Sequence, residues 1–161
     1  TGQQLTSVAP ALLKKSYIFE VNGLQLKNYP VEGCTFTTHP EGVVMTIPAN
    51  ATEYVLNLPF VPTRTVSRVS ALFHYVFDSE RNGINISVDL CDSVVNNAGY
   101  NRYVDRYIAF IANYNSNSSR LRISFGGSRT AEVRILIKDI VICQGGVLPY
   151  APNYQKNYTE I

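Results

Sequence analysis

Over residues 16–143, apolar and polar residues alternate in short runs, and that period of two most limits what the chain can fold into. β-Branched and aromatic side chains alternate with polar ones for five to ten residues at a time, and Gly, Pro and Asn break the runs. Alternation sends successive side chains to opposite faces of an extended strand, so a chain written this way makes half-buried strands. No stretch of 12 residues carries a clear 3.6-residue apolar stripe. The runs place strands at 17–22, 24–28, 33–37, 42–47, 52–58, 65–78, 84–91, 103–113, 120–125 and 131–143, with a helix as the alternative over 100–114. Turn signals every 8–15 residues then predict an all-β, two-sheet antiparallel sandwich, a jelly roll, over residues 16–146. Residues 1–15 read as a linker or short helix entering the domain, and 147–161 as an extended C-terminal tail.

Two local features sharpen this reading. Asn82-Gly83 is a type I′ hairpin signal, because both central residues of that turn need positive φ. A two-residue turn there would pair Phe77 with Val88, Tyr75 with Leu90 and Ser79 with Ile86, bringing the apolar sets onto one face. The same stretch offers Asp78, Glu80, Asn82, Gly83 and Asp89 at the ligand spacing of a calcium loop. It lacks flanking helices, however, and has polar Asn85 where an apolar residue belongs, so the hairpin is preferred and no cofactor is expected. Further on, Val133, Ile135 and Ile137 hold one parity and Ile140 and Ile142 the other; a bulge at Lys138-Asp139 would reconcile them.

Composition excludes several function classes. A net charge of +2, with no basic stripe, does not fit a nucleic-acid surface. No apolar run approaches the roughly 18 residues of a membrane-spanning helix. Cys34, Cys91 and Cys143 cannot all pair within one chain and match no zinc spacing, so they read as buried free thiols of a reducing compartment. Four Asn-x-Ser/Thr sequons, at Asn50, Asn85, Asn117 and Asn157, barely exceed the two or so expected by chance. The histidines, His39 and His74, have no acid or nucleophile at a diagnostic spacing, and no catalytic residue is assigned.

Binding chemistry concentrates in "GYNRYVDRYIAFIANYN", residues 99–115. Tyrosine supplies a flat apolar face with a polar tip, and Arg and Asp supply directional hydrogen bonds, the mixture a sugar needs. Tyr100, Arg102, Tyr103, Asp105, Arg106 and Tyr107 are the candidate glycan contacts; in an extended strand Tyr103, Asp105 and Tyr107 would share one face.

The ending "EVRILIKDIVICQGGVLPYAPNYQ" resembles the close of jelly-roll modules in bacteriophage tail spikes and tail fibres. The resemblance rests on Ile137-Lys138-Asp139-Ile140-Val141-Ile142, Gly145-Gly146 and Pro149-Tyr150-Ala151-Pro152, about 20 residues. Sandwich-type carbohydrate-binding modules end in a similar strand. The resemblance implies a non-enzymatic, homotrimeric domain at the receptor-facing end of a longer fibrous protein. It would bind host cell-surface polysaccharide, sit in a virion tail and be made in bacterial cytoplasm. The opening Thr1-Gly2 fits such a fragment. The alternatives are a carbohydrate-binding module appended to a polysaccharide-degrading enzyme and a trimeric secreted jelly roll for signalling or adhesion. In the tail, Gly145-Gly146 lets the chain turn out of the sheet, and Pro149 and Pro152 stiffen the segment beyond it. Leu148, Tyr150 and Tyr154 would find apolar cover on the domain's own flank or on a neighbouring protomer.

Overall fold

The computed structural model describes residues 20–21, 24–25, 29–79, 83–96, 101–146, 148 and 156–161. Its strands are β1 (Glu20–Val21), β2 (Leu24–Gln25), β3 (Thr35–His39), β4 (Gly42–Ile47), β5 (Tyr54–Pro59) and β6 (Arg68–Phe77). They continue with β7 (Asn85–Leu90), β8 (Ser93–Val95), β9 (Arg106–Asn113), β10 (Arg120–Gly126) and β11 (Val133–Gln144). One sheet has the order β3-β4-β11-β6-β9, the other β5-β10-β7-β8, and β1 pairs with β2 apart from both. All ladders are antiparallel. From β4 onward the chain changes sheet at every step except β7 to β8, which is the winding of a jelly roll. The alternative helix over 100–114 does not form; β9 occupies Arg106–Asn113.

The core lies between the sheets and takes one parity from each strand. Val43, Met45 and Ile47 of β4, Phe73, Tyr75 and Phe77 of β6, and Ile135, Ile137, Ile140 and Ile142 of β11 face Leu56 and Leu58 of β5, Ile86, Val88 and Leu90 of β7, and Leu121, Ile123 and Phe125 of β10. All are at most 2% exposed, and each such side chain contributes about 1.5–3 kcal/mol by leaving water. The expected bulge is present: the β11–β6 register shifts between Ile137 and Asp139, which returns Ile140 and Ile142 to the inner face.

The hairpin expected at Asn82-Gly83 does not form. Phe77 pairs with Ile135, while Val88 pairs with Ile123 and Val95, so β6 and β7 belong to different sheets. Each presents an apolar face to the other across the core. Parity cannot separate that arrangement from pairing edge to edge, because both need the same alternation. The type I′-like turn lies instead at Cys91 (φ 50) and Asp92 (φ 70), between paired Leu90 and Ser93. There Asp89 Oδ1 accepts the Asp92 N–H at 2.8 Å. The three-residue β8 it creates has no counterpart among the expected strands.

The five-stranded sheet is also buried on its outer side. Val44, Val76 and Leu136 form a cluster covered by Tyr158 and Ile161, so the last residues of the chain pack on the domain's own sheet. Asn157 makes an antiparallel bridge with Val104. Gly145 leaves the sheet at φ 94, as expected of the exit. Leu148 is 36% exposed, and Tyr150 and Tyr154 lie outside the described residues.

Candidate functional site

The outer face of the four-stranded sheet is polar because it takes the other parity of the same strands. Asn57 on β5, Arg122 and Ser124 on β10, and Asn85, Ser87 and Asp89 on β7 all point away from the core. Arg122 bonds Asp89 at 2.8 Å and Arg120 bonds Asp92 at 3.3 Å, so the charges over β10 are paired. Towards the other end, Glu53, Asn85, Ser87, Asn96, Ser124 and Gly126 line a groove of about 350 Å³. Ligand sites are concavities of ~300–1,000 Å³ with a few convergent polar groups. This one offers two amides, two hydroxyls and a carboxylate, and Gly126, having no side chain, leaves its floor open.

Arg129 holds the groove walls. Only 4% exposed, it directs all five guanidinium donors at oxygens. Nε donates to the Pro48 carbonyl (2.9 Å), Nη1 to those of Gly126 and Gly127 (3.1 Å each), and Nη2 to Thr52 O (2.5 Å) and Asn50 Oδ1 (2.9 Å). Its guanidinium carbon also lies 5.3 Å from the centre of the Tyr54 ring. The amide of Asn50 donates to Tyr54 Oη at 2.8 Å, so the first sequon is part of the wall.

The residues singled out between positions 100 and 107 form a second feature, which the structure only partly brings together. Tyr100 lies outside the described residues. Tyr103 sits at φ 61, uncommon for a bulky residue, and the Arg102 guanidinium stacks 4.8 Å from its ring centre. Arg106 bonds the side chain of Asn101 at 2.6 Å, and Tyr107 is 44% exposed with its edge towards His74. Asp105 does not share an open face with these tyrosines: it is 4% exposed. The left-handed turn at Tyr103 breaks the extended geometry the expectation assumed, and the strand begins only at Arg106.

Asp105 is instead the hub of a buried polar network. His74 Nε2 donates to it at 2.5 Å, Lys138 Nζ lies 3.3 Å away, and the backbone N–H of Lys156 donates to it at 2.9 Å. Burial pushes its carboxyl pKa up, but the Lys156 N–H, the His74 hydrogen bond and the His74 and Lys138 charges outweigh it and hold it below the usual range. Glu41 is depressed for related reasons: against burial, it accepts from Lys156 Nζ (3.0 Å) and Tyr158 Oη (2.9 Å). The other nitrogen of His74 faces Asp139 at 3.4 Å. Both ring nitrogens thus meet carboxylates, leaving neither as a base towards a hydroxyl. The network's chemistry is to tie residues 101–107 and 156–161 to the five-stranded sheet.

The remaining candidates are quickly placed. Asp78 accepts from Ser79 Oγ and the Arg134 N–H, and Asp89 from Arg122; Asp78 follows β6 and Asp89 lies in β7, strands of different sheets. Glu80 and Asn82 lie outside the described residues. All three cysteines are unpaired; burial pushes Cys34 and Cys143 up to about 11 and raises Cys91.

Apart from Asn85, named only as a sequon and within the calcium-loop spacing, the groove residues were not singled out from sequence. Asn85, Ser87 and Ser124 are the polar half of the alternation in 84–91 and 120–125, Glu53 lies in 52–58, Asn96 and Gly126 lie outside the expected strands, and adjacency of those segments is a property of the sheet order.

No protein-family model matches the chain, and no curated protein matches it. Among solved structures, it is similar to a mutant of the family 29 carbohydrate-binding module CBM29-2, at 17% identity over 84% of this chain and 91% of that one, with a TM-score of 0.46. A second is the C-terminal CBM6 of LamC from Zobellia galactanivorans, at 10% identity, 74% and 96% coverage and a TM-score of 0.44. A third is the enzymatically active domain of bacteriophage CBA120 tailspike protein 4, at 12% identity over 76% of this chain but 20% of that one, with a TM-score of 0.45.

Proposed function

We propose that this domain is a non-catalytic carbohydrate-binding jelly roll whose site is the polar groove on the four-stranded sheet. The observation that carries the reading is the groove's lining. Glu53, Asn85, Ser87, Asn96 and Ser124 present forked acceptors and donors at the spacing of neighbouring strands. Sugar hydroxyls are donors and acceptors at once, and amide, hydroxyl and carboxylate groups match both roles. The finer reading rests on the resemblance of the closing strand: a trimeric phage tail spike or fibre domain attaching to host polysaccharide. A module appended to a polysaccharide-degrading enzyme, or a secreted trimeric jelly roll, remains the alternative.

A glycan array on the domain, with light scattering for its mass, tests both levels. Binding of a glycan class with a trimeric mass supports the spike reading, and binding by a monomer supports the appended module. An Asn85→Ala, Asn96→Ala pair should weaken binding about tenfold, since each net hydrogen bond contributes ~0.5–1.5 kcal/mol. Unchanged affinity would move the site elsewhere. The first place to look is then the ridge of Arg102, Tyr103, Arg106 and Tyr107, favoured by the strained backbone of Tyr103. A Tyr103→Ala, Tyr107→Ala pair probes it.

A further inference from the structure

A second hollow, of about 540 Å³, adjoins the groove at the edge of the same sheet. Pro30, Val31 and Gly33 line one side of it, and Thr52, Glu53 and Val55 the other. Glu53 lines both concavities, so they meet at that residue. Together they cross the sheet at right angles to its strands. The path passes Asn96 after β8, Asn85 and Ser87 on β7, Ser124 and Gly126 on β10, and Glu53 before β5; it then leaves the edge over Pro30. The three spacings of about 4.8 Å between these four strands give about 14 Å, and the hollow over Pro30 carries the trough past the edge. That length suits an extended chain rather than a single sugar.

The lining changes along the way. The groove is amide and hydroxyl, whereas the edge hollow adds the apolar surfaces of Pro30 and Val31. The charged side chains lining the trough are Glu32 and Glu53, both exposed and in no ion pair among the described residues. The cation behind the wall, Arg129, is sealed away and committed to backbone and Asn50 oxygens. Among the described residues that line the trough, a chain carrying carboxylates or sulfates would meet these two acids and no cation.

Resting on the glycan-binding reading, we propose that the ligand is a linear oligosaccharide of neutral or amino-bearing sugars. It spans the whole trough, passing Glu53 where the two concavities meet, and anionic chains are rejected. Hydroxyl or amino groups of one unit bond the Glu53 carboxylate, units on the sheet side of it bond Asn85, Ser87, Asn96 and Ser124, and a unit past the edge rests on Pro30.

Calorimetric titration with ladders of two to six units tests this, using neutral glucan, xylan and mannan oligomers, glucosamine oligomers and galacturonate oligomers. Affinity should rise at least tenfold between two and five units in a neutral or amino series, and galacturonates should bind at least tenfold more weakly. Glu53→Gln should narrow that discrimination. Gly126→Leu should abolish binding with the melting temperature retained, since a Cβ there meets only the Glu53 side chain, at 3.6 Å. Sugar binding without a gain with length, equal binding of galacturonates, or indifference to Gly126→Leu would overturn this inference. Binding of no series at all would overturn the glycan reading beneath it.

Discussion

Replacing Asp105 by Asn isolates the charge of the buried network. The side chain is 2% exposed, and Asn keeps its shape and an oxygen that can still accept from the Lys156 N–H. What disappears is the negative charge shared by His74 and Lys138, whose side chain is 13% exposed and loses that carboxylate. Removing one partner of a buried ion pair costs about 3–5 kcal/mol, because the other charge is left in a poor solvent. For a chain of this size each kcal/mol moves the midpoint by roughly 2–4 °C, so the melting temperature should fall by about 6–20 °C. The loss should also be local. Residues 156–161 hang on Asp105 and Glu41 and cover Val44, Val76 and Leu136, so their amides should lose hydrogen-exchange protection before the core strands do. Adding Lys138→Met should recover part of the stability. A loss below about 1 kcal/mol, with the C-terminal amides still protected, would mean the pair behaves as an exposed one and would refute the argument.

The remaining predictions test the same physics elsewhere. Asp105 and Glu41 both titrate below their ordinary values in the folded chain, so their contribution is full above about pH 5 and disappears as pH falls through the lowered values. Melting temperature measured from pH 7 to pH 3 should therefore drop on the acid side, and Asp105→Asn should flatten that limb; an identical acid limb would count against it. Arg129→Met strands five oxygen acceptors in the groove wall and should lower the unfolding free energy in urea by at least about 3 kcal/mol, with Arg129→Lys intermediate. Cys143 and Cys34, held at about 11 by burial, should resist alkylation at pH 8 until the chain is unfolded; rapid labelling of native Cys143 would contradict its burial.

The one-dimensional pattern was enough for most of the strands and for the bulge, though not for β8. Residues 120–125 alternate cleanly and lie in β10, and the parity switch after Ile137 is the bulge itself, because side-chain direction follows backbone period without help from distant residues. Strand partners were another matter. Asn82-Gly83 has the local chemistry of a hairpin, yet the chain crosses there to the other sheet, while the true turn uses Cys91-Asp92 with Asp89 steadying it. An apolar face satisfies burial equally well beside a neighbour or opposite one, and only the whole packing chooses.

The candidate site divides in the same way. Tyrosines and arginines at 100–107 announced contact chemistry, but one left-handed residue, Tyr103, turned Asp105 inward to join His74 and Lys138, 31 and 33 residues away. The groove needs Glu53, Asn85, Asn96 and Ser124 brought side by side through the order β5-β10-β7-β8. The amino-acid order alone determined which face of most strands is apolar and leaves water, since that depends on each residue and its immediate neighbours. Which polar groups then converge depends on strands far apart in sequence being laid next to one another, and that only the tertiary structure decided.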